Sequence, residues 1–506
     1  MLVKRKDMVG QNDFKAALEG EGVVDLQGLL VPRWWRVLVP AGQTRQQLME
    51  RLSLLPGVDK VEEEIEMSAL STPNDPYFGP YQWGPQKIQA PLAWDLGLGN
   101  GNTWIAVLDT GIDYDHPDRP VNLSLGYDFI NGDSDPNDDN GHGTHVAGIA
   151  AAATNNGVGI AGLCPACGVL AVKVLGSDGT GYSSTIADGI EYAAYWGNYF
   201  RKKTILNLSL GSPDYSSVIA DAVSYAQSLG ALVVAAAGNG GPGLPGYPAA
   251  LPDVIAVSAT TPWDAPAYFS QYGSIGAPGG DGGTLDISDI LSTLPTRYFN
   301  PPYGWNAGTS MASPHVAGVA GLVWSLFPGC AARQVGLELQ GTVDEPSGWN
   351  YSYGAGRLNA SRAILRFTTT VLPAATVGGY YLANIGVSGG TGSKTFTLAS
   401  GALPPGLALS SSGMIEGTPR EQGTFTFTVV ASDSVCEALS KTFTISVVAV
   451  LPTPVSTPVP TAIATLAPTA TGTPNPAVIE PPTATSTSTP TRTPRHEIFI
   501  PAIFRD

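Results

Sequence analysis

Five short apolar runs, at residues 104–108, 170–175, 205–208, 232–236 and 254–257, alternate with helical stretches, and each leads into a loop bearing Gly, Ser or Asp. With no polar face to offer water, such runs predict the strands of a parallel sheet covered by helices on both faces. The alternation fills residues 71–367 and predicts an α/β domain, whose ligands are expected at the carboxyl ends of the strands.

The rest of the 506 residues divides into four further parts. Residues 1–70 are dense in charge and βαβ-like, with a core expected at about 25–66. Trp35-Arg36-Val37-Leu38-Val39 alternates as a strand does, Thr44 and Gln47 form a capping box, and Leu48, Leu52 and Leu55 line the helix it opens. Pro56-Gly57 ends that helix, and 58–65 reads as a returning strand. So small an α+β module needs a larger body to rest on. Residues 1–20 offer no recognisable pattern. Residues 368–450 turn to Thr-, Val- and Phe-rich alternation, as in Thr424-Phe425-Thr426-Phe427-Thr428-Val429 and Thr442-Phe443-Thr444-Ile445-Ser446-Val447. Turns at Leu403-Pro404-Pro405-Gly406 and Gly417-Thr418-Pro419 separate such runs and predict a small β-sandwich. Residues 451–495 hold 11 Pro and 13 Thr and read as an extended linker of up to ~140 Å at ~3.1 Å per residue. The tail, 496–506, is apolar but too short to cross a bilayer.

Composition narrows the function. A net charge of −16, from 26 Lys and Arg against 42 Asp and Glu, argues against nucleic-acid binding and suits hard cations. Four cysteines cannot frame a fold this long. No run of 18 apolar residues occurs, so no membrane-spanning helix is expected. The basic start, Met1-Leu2-Val3-Lys4-Arg5-Lys6, lacks the apolar stretch of a secretory signal; either the protein stays inside or this N-terminus is incomplete.

Three segments of the α/β domain carry chemistry. Val107-Leu108-Asp109-Thr110-Gly111 puts an acid at the end of a buried strand. Asn140-Gly141-His142-Gly143-Thr144-His145 puts an imidazole at a helix start, and Gly308-Thr309-Ser310-Met311-Ala312 puts a hydroxyl before another helix. Acyl transfer needs a hydroxyl, an imidazole to take its proton, and a buried carboxylate to orient that imidazole. Each motif alone reads equally well as a helix cap or a close-packed glycine. Together, in the order Asp, His, Ser, they resemble the subtilisin-like serine proteases, closest to the thermitase branch. Thr72-Pro73-Asn74-Asp75-Pro76-Tyr77-Phe78 and Gly84-Pro85-Gln86-Lys87-Ile88 share the resemblance, which runs through the whole of 71–367.

That resemblance implies a subtilisin-like sheet with Asp109 as orienting acid, His142 as general base then acid, and Ser310 as nucleophile. It makes Asn239, after Ala235-Ala236-Ala237-Gly238, the oxyanion donor beside the Ser310 N–H. His145 and His315 are expected only to pack or hydrogen-bond. A primary pocket is implied between Ser209, Leu210 and Gly211 on one side and Ala236, Ala237 and Gly238 on the other, its floor within 240–246. Gly181 and Tyr182 would form an edge that pairs with substrate backbone, which favours broad specificity. Small apolar walls suit a large apolar side chain before the scissile bond.

Asp128, Asn131, Asp133, Asp135 and Asn137 crowd oxygen ligands into one loop. Out of context this is a solvated acidic turn, and Asp138 where Gly is required, with Thr144 where Glu is, excludes an EF-hand. The resemblance implies a Ca2+ site in this loop, although Asn131 and Asp135 depart from its usual ligands. It also implies a second Ca2+ site from Asp75, Asp118 and Asn156. Cys164-Pro165-Ala166-Cys167 lacks the second ligand pair of a zinc site and precedes a strand, so a local disulfide or two packed thiols is expected. Cys330 and Cys436 fall in different domains, and no bridge between them is expected.

The N-terminal module resembles the propeptide of this family, an intramolecular chaperone and inhibitor, here cut away between Glu66 and Thr72. The β-module, through Leu403-Pro404-Pro405-Gly406-Leu407, resembles the Ig-like domains of bacterial surface proteins. The linker and tail look similar to terminal segments of envelope proteins. The resulting expectation is a bacterial, secreted or surface-attached serine endopeptidase, stabilised by Ca2+ and made as a zymogen. It would act as a monomer on proteins and peptides, be inhibited by its own propeptide, and attach to the cell surface through its C-terminal region. One rival is an adhesive surface protein with an inactive protease-like domain, which the intact Asp109, His142, Ser310 and Asn239 disfavour. The other is an intracellular protease, against which the Ig-like module, linker and propeptide stand.

Overall fold

The computed structural model describes residues 1–23, 26–29, 31–38, 45–62, 72–283 and 286–449. The Thr44 cap, the cleavage segment before Thr72, the linker and the tail lie outside the described residues.

In the N-terminal module β1 (Leu2–Arg5) pairs antiparallel with both β3 (Trp34–Val37) and β4 (Val58–Glu62), and β2 (Leu26–Gly28) completes the order β2-β3-β1-β4. Helices α1 (Gln11–Gly20) and α2 (Arg45–Ser53) pack Phe14, Leu18, Leu48 and Leu52 against Val3, Trp35 and Val37. Residues 1–20, which show no pattern in the sequence, therefore supply an inner strand and a helix of this core. Only Val3 of the strand is fully buried, and one buried position among charged neighbours displays no alternation.

Three short helices, α3 (Phe78–Tyr81), α4 (Trp83–Lys87) and α5 (Ala90–Trp94), lead into the α/β domain. Its strands are β5 (Thr103–Asp109), β6 (Asn122–Asp128), β7 (Gly168–Lys173), β8 (Lys203–Leu208), β9 (Leu232–Ala236), β10 (Ile255–Thr260) and β11 (Ile275–Pro278). They form one parallel seven-stranded sheet in the order β11-β10-β9-β8-β5-β7-β6. The apolar runs become β5, β7, β8, β9 and β10; the edge strands β6 and β11 were not signalled, one being half-exposed and the other four residues ending in Pro278.

Alternate side chains of each inner strand enter different cores. Ile105 and Val107 face α6 (His142–Ala151) and α9 (Thr309–Leu326), whereas Ala106 and Leu108 face α7 (Ser183–Tyr199) and α8 (Ser217–Ser228). Burial on both faces is why these runs are apolar at every position. The hairpin of β12 (Ile290–Thr293) and β13 (Tyr303–Asn306) lies beside α6, and α10 (Ala332–Gly341) packs Val335 and Leu339 into the α9 side.

The C-terminal module begins with β14 (Arg366–Phe367), two residues ahead of the expected boundary, paired with β17 (Val387–Ser388). One sheet holds β15 (Ala375–Thr376), β22 (Ala438–Val448), β21 (Gly423–Ser432) and β18 (Thr395–Gly401) in that order. The other holds β16 (Tyr381–Asn384), β20 (Met414–Gly417) and β19 (Leu407–Leu409). Phe427, Val429, Phe443, Ile445 and Val447 fill the core, while Thr426–Thr444 and Thr428–Thr442 pair their hydroxyls outside at 3.3 and 3.0 Å.

This Ig-like module docks on the α/β domain. Cys436 and Leu439 pack against the core beneath α9 and α10, and Gln334 Nε2 donates to Val435 O at 2.7 Å. The sequence reading of the cysteines is corrected here: Cys330 and Cys436 form a disulfide, with Cα atoms 5.3 Å apart across 106 positions of sequence. Docking of the β21–β22 turn onto the chain before α10 brings together residues of different domains, a proximity that sequence distance conceals. Cys164 and Cys167 form the second disulfide, a local one. Peptide mapping without reductant is expected to recover Cys330 and Cys436 linked. The pair of substitutions Cys330→Ser and Cys436→Ser is expected to cost about 2–4 kcal/mol, read as a fall in Tm by calorimetry.

Candidate active site

Asp109 is the last residue of β5, fully buried, and its Oδ1 lies 2.7 Å from Nδ1 of His142, the first residue of α6. A carboxylate only accepts, so Nδ1 carries the hydrogen and Nε2 is left as the basic nitrogen. Asp109 Oδ1 also accepts from Thr110 N at 2.8 Å, while Oδ2 is buried and has no partner among the described residues. Burial presses the His142 pKa downward. The Asp109 charge and hydrogen bond, with the Asp138 charge, outweigh it and hold the imidazole above its ordinary value.

The contact depends on α6 starting close to the end of β5. Gly143 permits this, since a Cβ there would stand 3.1 Å from Asp109 Cβ and closer still to Gly111 O. Asp138 then binds the two segments together. Its Oδ1 accepts from Thr110 Oγ1 (2.8 Å), Asn140 N (3.0 Å) and Gly141 N (2.8 Å), and its Oδ2 from Thr144 N (2.9 Å) and Thr144 Oγ1 (2.6 Å). Thr110 Oγ1 in turn accepts from Gly143 N at 2.9 Å. Lys173, buried at the end of β7, donates to Thr110 O, Asp139 Oδ1 and Leu175 O at 2.6, 2.7 and 2.8 Å. Sequence reasoning missed both residues. Asp138, four positions before His142, carried a signal as an acid ahead of a helix start; Lys173, at the end of an apolar run, carried none.

Ser310 is the second residue of α9, so its N–H is among those a helix N-terminus leaves without an intrahelical acceptor. Its Oγ donates to Ser209 O at 3.1 Å, and Ser209 Oγ donates back to Ser310 O at 2.8 Å, so the hydroxyl is not bonded to the imidazole here. Asn239 Oδ1 accepts from Thr309 N (2.9 Å) and Thr309 Oγ1 (3.0 Å), which turns Nδ2 the other way, alongside Gly308. Thr309 thus aims the amide, a role that the sequence reading did not assign.

The slot implied by the resemblance is bounded as follows. Ser209 is buried, Leu210 partly buried and Gly211 exposed after β8; Ala236 and Ala237 are buried and Gly238 partly buried after β9. The chain of 240–246 returns to seat Gly246 N on Ala237 O at 2.9 Å, and Tyr247 pairs with Ser212 at 2.8 and 2.9 Å. These bonds tie the 240–247 segment to both walls. Gly181 and Tyr182 are exposed just before α7.

The two expected cation clusters differ. Asp75 and Asp118 are buried and share Asn156: Asp75 Oδ1 accepts from Asn156 N at 3.2 Å and Asp118 Oδ1 from Asn156 Nδ2 at 2.8 Å. Burial, with the Asp75 charge adding to it, pushes the Asp118 carboxyl up to about 7. Two buried carboxylates bring the charge that suits a hard cation, although Asn156, like Asn131 in the loop, turns its hydrogens to them. The loop cluster is more open: Asp128 is buried, but Asn131, Asp133 and Asp135 are exposed. Asp128 accepts from Ile130 N and from Asn131 N and Nδ2 at 2.7, 2.9 and 2.8 Å, so Asn131 offers it hydrogens, not an oxygen. Asp133 accepts from Asp135 N, Asp135 from Tyr114 OH, and Asn137 from Asp138 N, at 2.9, 2.9 and 3.0 Å. His145 and His315 are fully buried, bonded to Gly304 O at 3.1 Å and Met311 O at 2.8 Å, and burial pushes them down to about 3 and about 4.

A model of the subtilase family matches residues 100–356, about half of the chain, and one of an Ig domain matches 364–448. With the fold around it, the first match makes this protein a serine endopeptidase. Thermitase of Thermoactinomyces vulgaris is 46% identical over 296 residues, 58% of this chain and 99% of its own. A thermophilic serine proteinase of Bacillus is 42% identical over 322 residues, 63% of this chain and 76% of its own. A solved protease structure from Pseudoalteromonas arctica is 35% identical with a TM-score of 0.53, covering 58% of this chain and 98% of that one. The chain belongs to the subtilase family.

Replacing Asp138 by Ala is expected to lower the His142 pKa, followed by NMR of the ring nitrogens, because one of the charges holding it up is lost. The same substitution leaves the five donors to Asp138 without that acceptor, at about 1–3 kcal/mol for each one left buried and unmet. An unmoved His142 titration would contradict the coupling.

Proposed function

We propose that Asp109, His142, Ser310 and Asn239 are the catalytic residues, and that the protein is a secreted or surface-attached, calcium-stabilised endopeptidase made as a zymogen. The observation that carries this reading is the 2.7 Å pairing of His142 Nδ1 with the buried Asp109, which leaves Nε2 as a base at the carboxyl edge of the sheet. The Ser310 hydroxyl leaves the Ser209 carbonyl and passes its proton to Nε2 as Oγ attacks the peptide carbonyl carbon. The oxyanion takes hydrogen bonds from the Ser310 N–H and Asn239 Nδ2, donors already oriented before charge develops. The C–N bond breaks as His142 returns the proton to the amine, and water repeats the sequence on the acyl-enzyme.

Ala236, Ala237, Gly238, Leu210 and Gly211 support a slot for a large apolar side chain before the scissile bond. Gly181 and Tyr182 support main-chain pairing with an extended substrate, hence broad specificity. Tyr182 leaves 83% of its surface exposed, area that a substrate would cover. The N-terminal module has a core of its own, as suits a detachable inhibitor. Two disulfides suit an oxidising compartment. Calcium held by Asp75, Asp118 and Asn156 would neutralise a buried carboxylate pair and tie the segment before α3 to the body.

Ser310→Ala is expected to abolish casein hydrolysis and to leave the N-terminal module attached on a denaturing gel; a processed, active variant would overturn the assignment. Asn239→Ala is expected to fold and to lose ~10²–10³ in kcat, a magnitude already measured for such a donor in a subtilisin. Chelation is expected to lower Tm, with a pH dependence whose sign follows from Asp118. Without a cation the raised carboxyl, at about 7, costs stability as it ionises, so the Tm gap between chelated and Ca2+-loaded protein should widen from pH 5 to pH 8. A gap constant with pH, or absent, would remove this site.

A further inference from the structure

Where α10 meets the turn between β21 and β22, Glu338 of the α/β domain converges with Asp433 and Glu437 of the Ig-like module. One oxygen from each lies within 4.8 Å of the others. Glu338 and Glu437 are 0% and 1% exposed. Among the described residues none of the three has an ion-pair partner, and nearby Lys394 spends its ammonium on Gly392 O at 2.9 Å. Part of the cluster is satisfied locally. Asp433 Oδ1 accepts from the N–H groups of Val435, Cys436 and Glu437, its Oδ2 from Thr391 N, and Glu437 Oε2 from Leu365 N. Both oxygens of Glu338, Oε1 of Glu437 and the Thr391 hydroxyl are buried, and no well-aligned hydrogen bond from the described residues meets them.

Buried carboxylates at this spacing cannot all stay ionised without a counter-charge. A single proton shared between Glu338 and Asp433 would leave Glu437 Oε1 unmet, whereas one divalent cation meets all three side chains. Oxygen donors alone, with no imidazole or thiolate, select a hard cation of the calcium class. The backbone is also drawn in around the cluster. Gly390, at φ 66°, lies so close that a Cβ would stand 3.0 Å from Asp433 Oδ2 and 3.2 Å from Glu437 Oε2.

We propose that Glu338, Asp433 and Glu437, with the Thr391 hydroxyl, form a calcium site that clamps the Ig-like module to the α/β domain. It sits at the turn that also carries Cys436, so an ionic and a covalent tie hold the same junction. Free of the ion, burial pushes Glu338 up to about 8 and Glu437 up to about 9, which makes protons the competing occupants at neutral pH.

The test counts bound Ca2+ by mass spectrometry of the full chain, carrying Ser310→Ala to prevent self-digestion, against the same chain with Glu338→Gln and Glu437→Gln. Loss of one Ca2+ per chain and a smaller Ca2+-induced rise in Tm are expected. Both should also appear in an Asp118→Asn background, which separates this site from the one near α3. Equal Ca2+ counts with an unchanged Ca2+ response would overturn the proposal and leave protons as the occupants. If the substituted chain does not fold, crystals of the unsubstituted chain grown with Sr2+ decide the matter. An anomalous peak between Glu338 and Glu437 supports the site, and no peak there at millimolar Sr2+ overturns it.

Discussion

The buried carboxylate of Asp138 accepts five hydrogen bonds, and through them the end of β5 and the start of α6 behave as one body. Most of those donors are helix N-terminal amides or hydroxyls that would otherwise lie buried and unpaired, so the arrangement resists partial loss. Asp109 and His142 each sit at the tip of one of the joined segments. Their 2.7 Å contact is therefore a property of the scaffold and not of two free side chains finding each other. Lys173 braces the same turn from β7 by bonding the Thr110 carbonyl, so three neighbouring elements fix one imidazole.

Ser310 is held differently. α9 runs through the middle of one core, and its first turn exchanges hydrogen bonds with the ends of β8 and β9 through Ser209 and Asn239. The main chain of Ser310 is thereby fixed, while its hydroxyl rests on a carbonyl it can leave by rotation about one bond. Rigid donors beside a side chain with one free torsion suit a reaction in which the oxyanion site must stand ready and the nucleophile must move.

The flanking modules meet the enzyme domain on different terms. The N-terminal α+β unit buries its own apolar set around Val3, Phe14 and Leu52. The Ig-like module, in contrast, contributes Cys436 and Leu439 to the enzyme's core surface and is bridged to it by a disulfide. A module anchored so firmly is continuous with the α/β body in stability, and the carboxylates gathered at its turn belong to neither domain alone.

The runs of β5, β7, β8, β9 and β10 were legible because strands buried on both faces must be apolar throughout, and β21 and β22 because one-sided burial imposes a two-residue period. Asp109, His142, Ser310 and Asn239 stood out as candidates because short motifs at element ends leave recognisable strings. The edge strand β6, the brace of Lys173 and the Thr309 bonds that aim Asn239 were not, since nothing local distinguishes them. Contact between Cys330 and Cys436, and between Glu338 and Glu437, was decided only by how the Ig-like module docks on the α/β domain. Sequence periodicity reports which face of an element is buried, not which distant element will cover it.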